Sequence, residues 1–96
     1  MLNLVIYKER PILVERIHTL QLLSNDPQEI ELEYQSDKFT LQKGETVKLE
    51  DNITLTYLRN YKKNGASIGF DAPPNTAIQR CTGYDKRGRP IWYSRN

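Results

Sequence analysis

Residues 53–70 read ITLTYLRNYKKNGASIGF, two alternating runs separated by a turn signal. Ile53, Leu55 and Tyr57 alternate with Thr54 and Thr56, which puts apolar side chains on one face of an extended chain and hydroxyls on the other. Asn64-Gly65 stands between Ile53–Tyr61 and Ala66–Phe70, and the pair favours the positive φ angles of a tight turn, so a β-hairpin is expected here. The same period extends outward. Ile30, Leu32 and Tyr34 alternate with Glu29, Glu31 and Glu33, and Phe39/Leu41 precede Val47/Leu49 with Lys43-Gly44 as the turn between them. Downstream, Ala72-Pro73-Pro74-Asn75 must turn, because a proline lacks the backbone donor that a ladder needs. Thr76–Arg80 is then extended, residues 83–89 form a loop, and Ile91–Tyr93 is a final short strand. In residues 11–23, Leu13, Ile17 and Leu20 have helical spacing while the β-branched residues favour extension, and strand is the expectation. The pattern implies an all-β, antiparallel sheet or barrel domain with extra N-terminal strands.

Ninety-six residues make one domain with a thin core, since a chain this short removes only roughly two-thirds of its unfolded surface from water. No apolar run approaches the ~20 residues of a membrane span, and Lys8, Glu9 and Arg10 interrupt any signal-like stretch, so a cytoplasmic protein without membrane contact is expected. One cysteine, Cys81, and one histidine, His18, give neither a disulfide nor a zinc ligand set, and no metal or cofactor is expected. No histidine lies near Cys81, no acid/base pair is recognisable among Glu45, Glu50, Asp51 and Asp71, and no nucleotide-binding glycine loop is present, so an enzyme is not expected.

The net charge of +2 is unevenly spread. Residues 1–36 hold three basic and six acidic side chains, whereas residues 80–96 hold Arg80, Lys86, Arg87, Arg89 and Arg95 against Asp85 alone. Interleaved with Tyr84, Trp92 and Tyr93, this segment offers phosphate contacts and stacking faces together, as single-stranded nucleic acid binding requires.

Residues 4–32 can be laid beside residues 39–70 with shifts of about 35 to 38 residues, Leu4, Ile6 and Lys8 against Phe39, Leu41 and Lys43, and Ile30-Glu31-Leu32 against Ile68-Gly69-Phe70. Alternating β sequences align with one another readily. Residues 1–36 therefore read either as an N-terminal extension or as a degenerate repeat of a core at 37–80, with 81–96 a basic, aromatic tail.

Gly44-Glu45-Thr46 followed by Val47–Asp51, Ile53-Thr54-Leu55-Thr56, the Asn64-Gly65 turn, Ile68-Gly69-Phe70-Asp71-Ala72-Pro73 and Ile78-Gln79-Arg80 resembles, in order and spacing, the core of the CsrA/RsmA (carbon storage regulator) family. The likeness covers residues 39–80, and its most specific part is Ile-Gly-Phe-Asp-Ala-Pro with an arginine seven residues after the proline. It implies a five-stranded, intertwined homodimer that binds GGA-containing single-stranded loops in messenger RNA leaders and alters translation. In that family the RNA surface joins the first strand of one protomer to the fifth of the other; Arg80 matches the principal contact, and Gly69, Ala72 and Pro73 match the loop whose backbone approaches the bases.

The departures are specific. The family's basic first strand is replaced by Phe39-Thr40-Leu41-Gln42; if Met1–Tyr7 serves instead, Leu4 matches but Ile6 and Tyr7 stand where the arginines would be. The hairpin holds one extra residue, and Thr82–Asn96 replaces a C-terminal helix. Lys86, Arg87 and Arg89 would restore phosphate attraction without base selectivity. A protein-interaction module that has lost RNA, or a small accessory subunit of a larger complex, is the rival reading, favoured by Ile91-Trp92-Tyr93. Assembly is expected to be homodimeric, because the first half lacks an Ala-Pro turn and a fifth strand; a true repeat would instead make one chain a pseudo-dimer with a single Arg80 site.

Overall fold

In the computed structural model, which describes residues 1–93, ten strands follow one another: β1 (Leu2–Tyr7), β2 (Ile12–Val14), β3 (His18–Asn25), β4 (Glu29–Tyr34), β5 (Asp37–Gln42), β6 (Thr46–Glu50), β7 (Ile53–Tyr61), β8 (Gly65–Asp71), β9 (Ile78–Tyr84) and β10 (Pro90–Tyr93). The described residues contain no helix; residues 11–23 are not one strand but β2 and the start of β3, paired antiparallel across a turn at residues 15–17, which the uniform β-branched content did not mark. Two antiparallel sheets form, β1-β8-β7-β6 and β10-β9-β2-β3-β4-β5. They share one core. Ile12, Val14, Leu20, Leu22, Ile30 and Leu32 from the larger sheet meet Ile6, Ile53, Leu55, Tyr57, Ile68 and Phe70 from the smaller, every second residue along each strand. Each such side chain contributes roughly 1.5–3 kcal/mol on burial.

The connectivity exchanges first strands between the halves. β1 pairs with β8 of the second half (Leu4 with Ile68, Ile6 with Ala66), and β5 pairs with β4 of the first (Phe39 with Leu32, Leu41 with Ile30). The inner hairpins match in detail: Leu20–Tyr34 and Leu22–Leu32 precede a bulge and then Asn25–Ile30, while Leu55–Phe70 and Tyr57–Ile68 precede a bulge and then Asn60–Ala66. Asn25 Nδ2 donates to Asn60 Oδ1 at 3.1 Å, and equivalent residues in contact mark a pseudo-two-fold axis. The register corrects the sequence alignment. Leu32 corresponds to Ile68 and Ile30 to Ala66, rather than Ile30 to Ile68, because the hairpin of the second half is one residue longer. The symmetry then stops: β9 pairs with β2, whereas β6, the counterpart of β2, is an edge, because the first half turns at Gln35-Ser36 straight into β5.

The expected hairpin at Asn64-Gly65 forms for a different reason. The positive φ belongs to Lys62 (52°), and Gly65 already opens β8. A Cβ on Gly65 would stand 3.0 Å from the Tyr61 carbonyl oxygen and 3.1 Å from the Tyr7 ring, so glycine is needed for close approach. Gly65→Ala should therefore destabilise the protein by about 1–3 kcal/mol by overpacking. Gly83→Ala, with no atom within 4 Å of the added carbon, should be neutral to within about 0.5 kcal/mol. Urea midpoints would show it, and equal midpoints for the two variants would refute the assignment.

Candidate nucleic-acid interface

After Pro73 and Pro74 the chain turns, with Thr76 N donating to Pro73 O at 3.0 Å, and re-enters the larger sheet as β9 between β2 and β10. Arg80 is the third residue of β9, cross-strand from Ile12 and from Tyr93. It shares the inward face with Ile12, yet it stands at the rim and is exposed. Its guanidinium lies 5.6 Å from the centre of the Tyr93 ring. Arg80 thus does not close its strand beside residues 69–73; β9 continues to Tyr84, and the neighbour of Arg80 is the aromatic ring of β10.

The basic tail folds as a hairpin. Asp85 Oδ1 accepts from Arg87 N and Arg89 N, both at 2.9 Å, Gly88 takes a φ of 80°, and Arg89 Nε reaches Asp85 Oδ2 at 3.3 Å. The backbone donor of Arg89 leads in holding the Asp85 carboxyl below its ordinary value. Lys86, Arg87 and Arg89 are exposed on this turn, and Tyr84, Ile91 and Tyr93 are exposed beside them; Arg95 lies outside the described residues.

The link leaving β1, and not β5, contacts β9. The Tyr84 hydroxyl donates to the Glu9 carbonyl and Cys81 N to Pro11 O at 3.2 Å, both on the link leaving β1, whereas β5 is four strands from β9 in the sheet order, roughly 19 Å away. At the positions where the resemblance would place arginines, Ile6 is fully buried and Tyr7 packs edge-on against Tyr61. Leu4 is half-buried against the core. Gly69 is not part of the loop. It sits within β8 between Asn3 and Thr56, with the Met1 side chain over it, so its backbone offers no approach to a base. Ala72 and Pro73 do line a cavity of about 450 Å³, together with Arg16 and Asp71.

Neither Arg16 nor Asp71 was among the binding residues expected from sequence. Arg16 comes from the β2–β3 turn, more than fifty residues before Ala72, and only the pairing of β2 with β9 brings it there.

The pseudo-symmetric end is closed. Tyr34, Gln35 and Glu50 stand where Phe70, Asp71 and Glu15 stand at the open end; the Tyr34 hydroxyl and Gln35 Nε2 each donate to Glu50 Oε2 at 2.7 Å. Burial foremost, with the bond to Glu50, pushes the Tyr34 hydroxyl up to about 12.

No protein-family model, no curated protein and no solved structure matches the chain.

An unfolded tyrosine ionises near 10, so the proton that Tyr34 keeps to about 12 stabilises the fold fully below pH 10, and that stabilisation is lost as pH rises through 12. Tyr34→Phe should lower stability at neutral pH by about 1.5 kcal/mol and make the loss between pH 10 and 12 shallower, read as urea midpoints along a pH series. An unaltered slope would place the late titration elsewhere.

Proposed function

We propose that this protein is a non-enzymatic, post-transcriptional regulator that binds single-stranded GGA-type loops of messenger RNA leaders and alters translation by occupying them. The observation that carries the reading is the Arg80 guanidinium over the Tyr93 ring, exposed on β9 between β2 and β10, with Lys86, Arg87 and Arg89 on the adjoining hairpin. Cations that neutralise phosphates and rings that stack bases then share one surface. The resemblance of residues 39–80 to the CsrA/RsmA core supports the same reading. Steric occupancy needs no catalytic group.

One chain is proposed to act as a pseudo-dimer with one site. The strand that a partner would donate to β8 is β1 of the same chain, and the second site has no fifth strand, no Ala-Pro loop and a closed end at Tyr34 and Glu50. A charged hydrogen bond contributes roughly 1.5–3 kcal/mol, so the loss of the first-strand arginines weakens binding by about one to two orders of magnitude. Affinity then depends on the β9–β10 hairpin. The rival, a protein-interaction module, is favoured by one observation: Ile91 and Tyr93 remain 48% and 45% exposed on the edge strand β10.

Arg80→Ala should reduce affinity for a GGA-loop RNA tenfold or more in filter binding, with an unchanged urea midpoint; intact binding with a lost unfolding transition would make Arg80 structural. Removing residues 81–96 would cut β9 at the buried Cys81, so the hairpin charges are better removed by the triple change Lys86→Gln, Arg87→Gln and Arg89→Gln. That variant should flatten the salt dependence while keeping preference for GGA over scrambled loops. Salt-insensitive failure of the unmodified protein to bind would favour the protein module. Light scattering without RNA should give a concentration-independent mass near 11.2 kDa; twice that mass would restore the homodimer.

A further inference from the structure

The β2–β3 turn departs from the conformation its residues favour. Glu15 and Arg16 both hold positive φ, 56° and 62°, a region that asparagine and glycine enter readily and these side chains do not. Their counterparts, Glu50 and Asp51, do not adopt it. Two hydrogen bonds pin the strained turn to the approach of β9: Glu15 N donates to Ala77 O at 2.7 Å, and Ala77 N donates to Glu15 Oε1 at 3.0 Å. The result is to hold Arg16 on the wall of the 450 Å³ cavity opposite the end of β8 and the proline loop, a volume within the roughly 300–1,000 Å³ of small-molecule sites.

Arg16 makes no ion pair among the described residues. Asp71, on the same cavity, is 61% exposed at its side chain and has only the Met1 amino group near it, at 3.9 Å. One guanidinium and one carboxylate thus line a single recess without engaging each other, with Pro73 and Pro74 as flat apolar walls.

Guanine is the base that this pair fits. Its N7 and O6 are adjacent acceptors for a guanidinium fork, and its N1–H and N2–H are adjacent donors for a carboxylate. Adenine would turn the lone pair of its N1 toward the carboxylate and its N6 amino group toward the guanidinium. We infer that the cavity between the β2–β3 turn and the β8–β9 loop holds one guanine base of single-stranded RNA, with Arg16 on its N7/O6 edge and Asp71 on its N1/N2 edge. This rests on the RNA-binding reading and adds to it the cavity that takes one guanine and a reading residue from the opposite half of the chain.

Amide NMR titrations of the whole chain with guanosine and adenosine 5′-monophosphates test the cavity without RNA. The guanosine nucleotide should shift Asp71, Ala72 and Ala77 and saturate, the adenosine nucleotide should not, and Arg16→Ala should abolish the response. Arg16→Lys keeps the charge but loses the fork, and should lose guanine preference with it. In filter binding, inosine, which lacks the N2 amino group, in place of one guanosine of the GGA loop should reduce affinity about tenfold for the unmodified protein and leave Asp71→Asn indifferent. RNA binding that ignores inosine and both Arg16 variants, with no nucleotide response, would overturn the inference and leave the RNA reading intact. A guanosine response in the cavity without binding to any RNA would uphold the base assignment and overturn the RNA reading.

Discussion

The exchange of first strands is the constraint on which the rest of the molecule depends. β8 lies between β7 and β1, and β4 between β3 and β5, so neither hairpin is completed by its own half. Remove β1 and the β8 edge opens over Ile68 and Phe70, which are buried to 0% and 1% exposure in the assembled fold. Because both halves lie on one chain, the exchange is closed by loop entropy, which grows only as the logarithm of chain length, and not by the larger loss of free translation and rotation that two separate chains incur. The consequence is a fold built on distant pairings. Tyr7 meets Gly65 and Leu2 meets Phe70, contacts of a kind that form late and slow folding.

The frame is symmetric and its ends are not. Val47 and Leu49 on β6 are half-exposed, whereas their counterparts Ile12 and Val14 on β2 are buried to 1% and 0%, because β9 covers only β2. The uncovered edge is short, bulged between Lys48 and Glu50, and carries the charge of Lys48, features that discourage further strands from adding to it. At the same end the carboxylate of Glu50 is occupied by Tyr34 and Gln35. The equivalent carboxylate of Glu15 accepts from the backbone of Ala77 instead, so the two ends differ in what their paired glutamates hold.

What was legible in the sequence was what depends on period. Alternation located most strands, because side chains two apart must face one core, but residues 11–23, expected as one strand, are two joined by a turn. What was not legible depended on partners distant in the chain. Asn64-Gly65 marked the right hairpin, but the glycine answers to the Tyr7 ring, which arrives only when β1 docks. Gly69 read as a loop residue by resemblance and is an interior strand position under Met1, for the same reason. The turns at Glu15-Arg16 and Gln35-Ser36 carry no asparagine or glycine, so their left-handed backbone has no local signature; tertiary pairing imposes it.

In the proposed reading, the two kinds of recognition fall to different elements. The β9–β10 hairpin presents Lys86, Arg87 and Arg89 to solvent, and such charges act on any phosphate, at long range and in proportion to salt. Base identity requires donors and acceptors facing one recess, and the pinned turn at Glu15-Arg16 and the end of β8 bring Arg16 and Asp71 to the same one. Arg80 stands between these regimes: it is exposed like the hairpin charges, yet its strand is paired on both sides and its guanidinium is stacked on Tyr93, so its position is restricted without burial. In that reading selectivity needs no cations on the first strand, because the selective contacts come from the turn of the first half and the loop of the second, and the pairing of β9 with β2 is what brings those two segments to the same cavity.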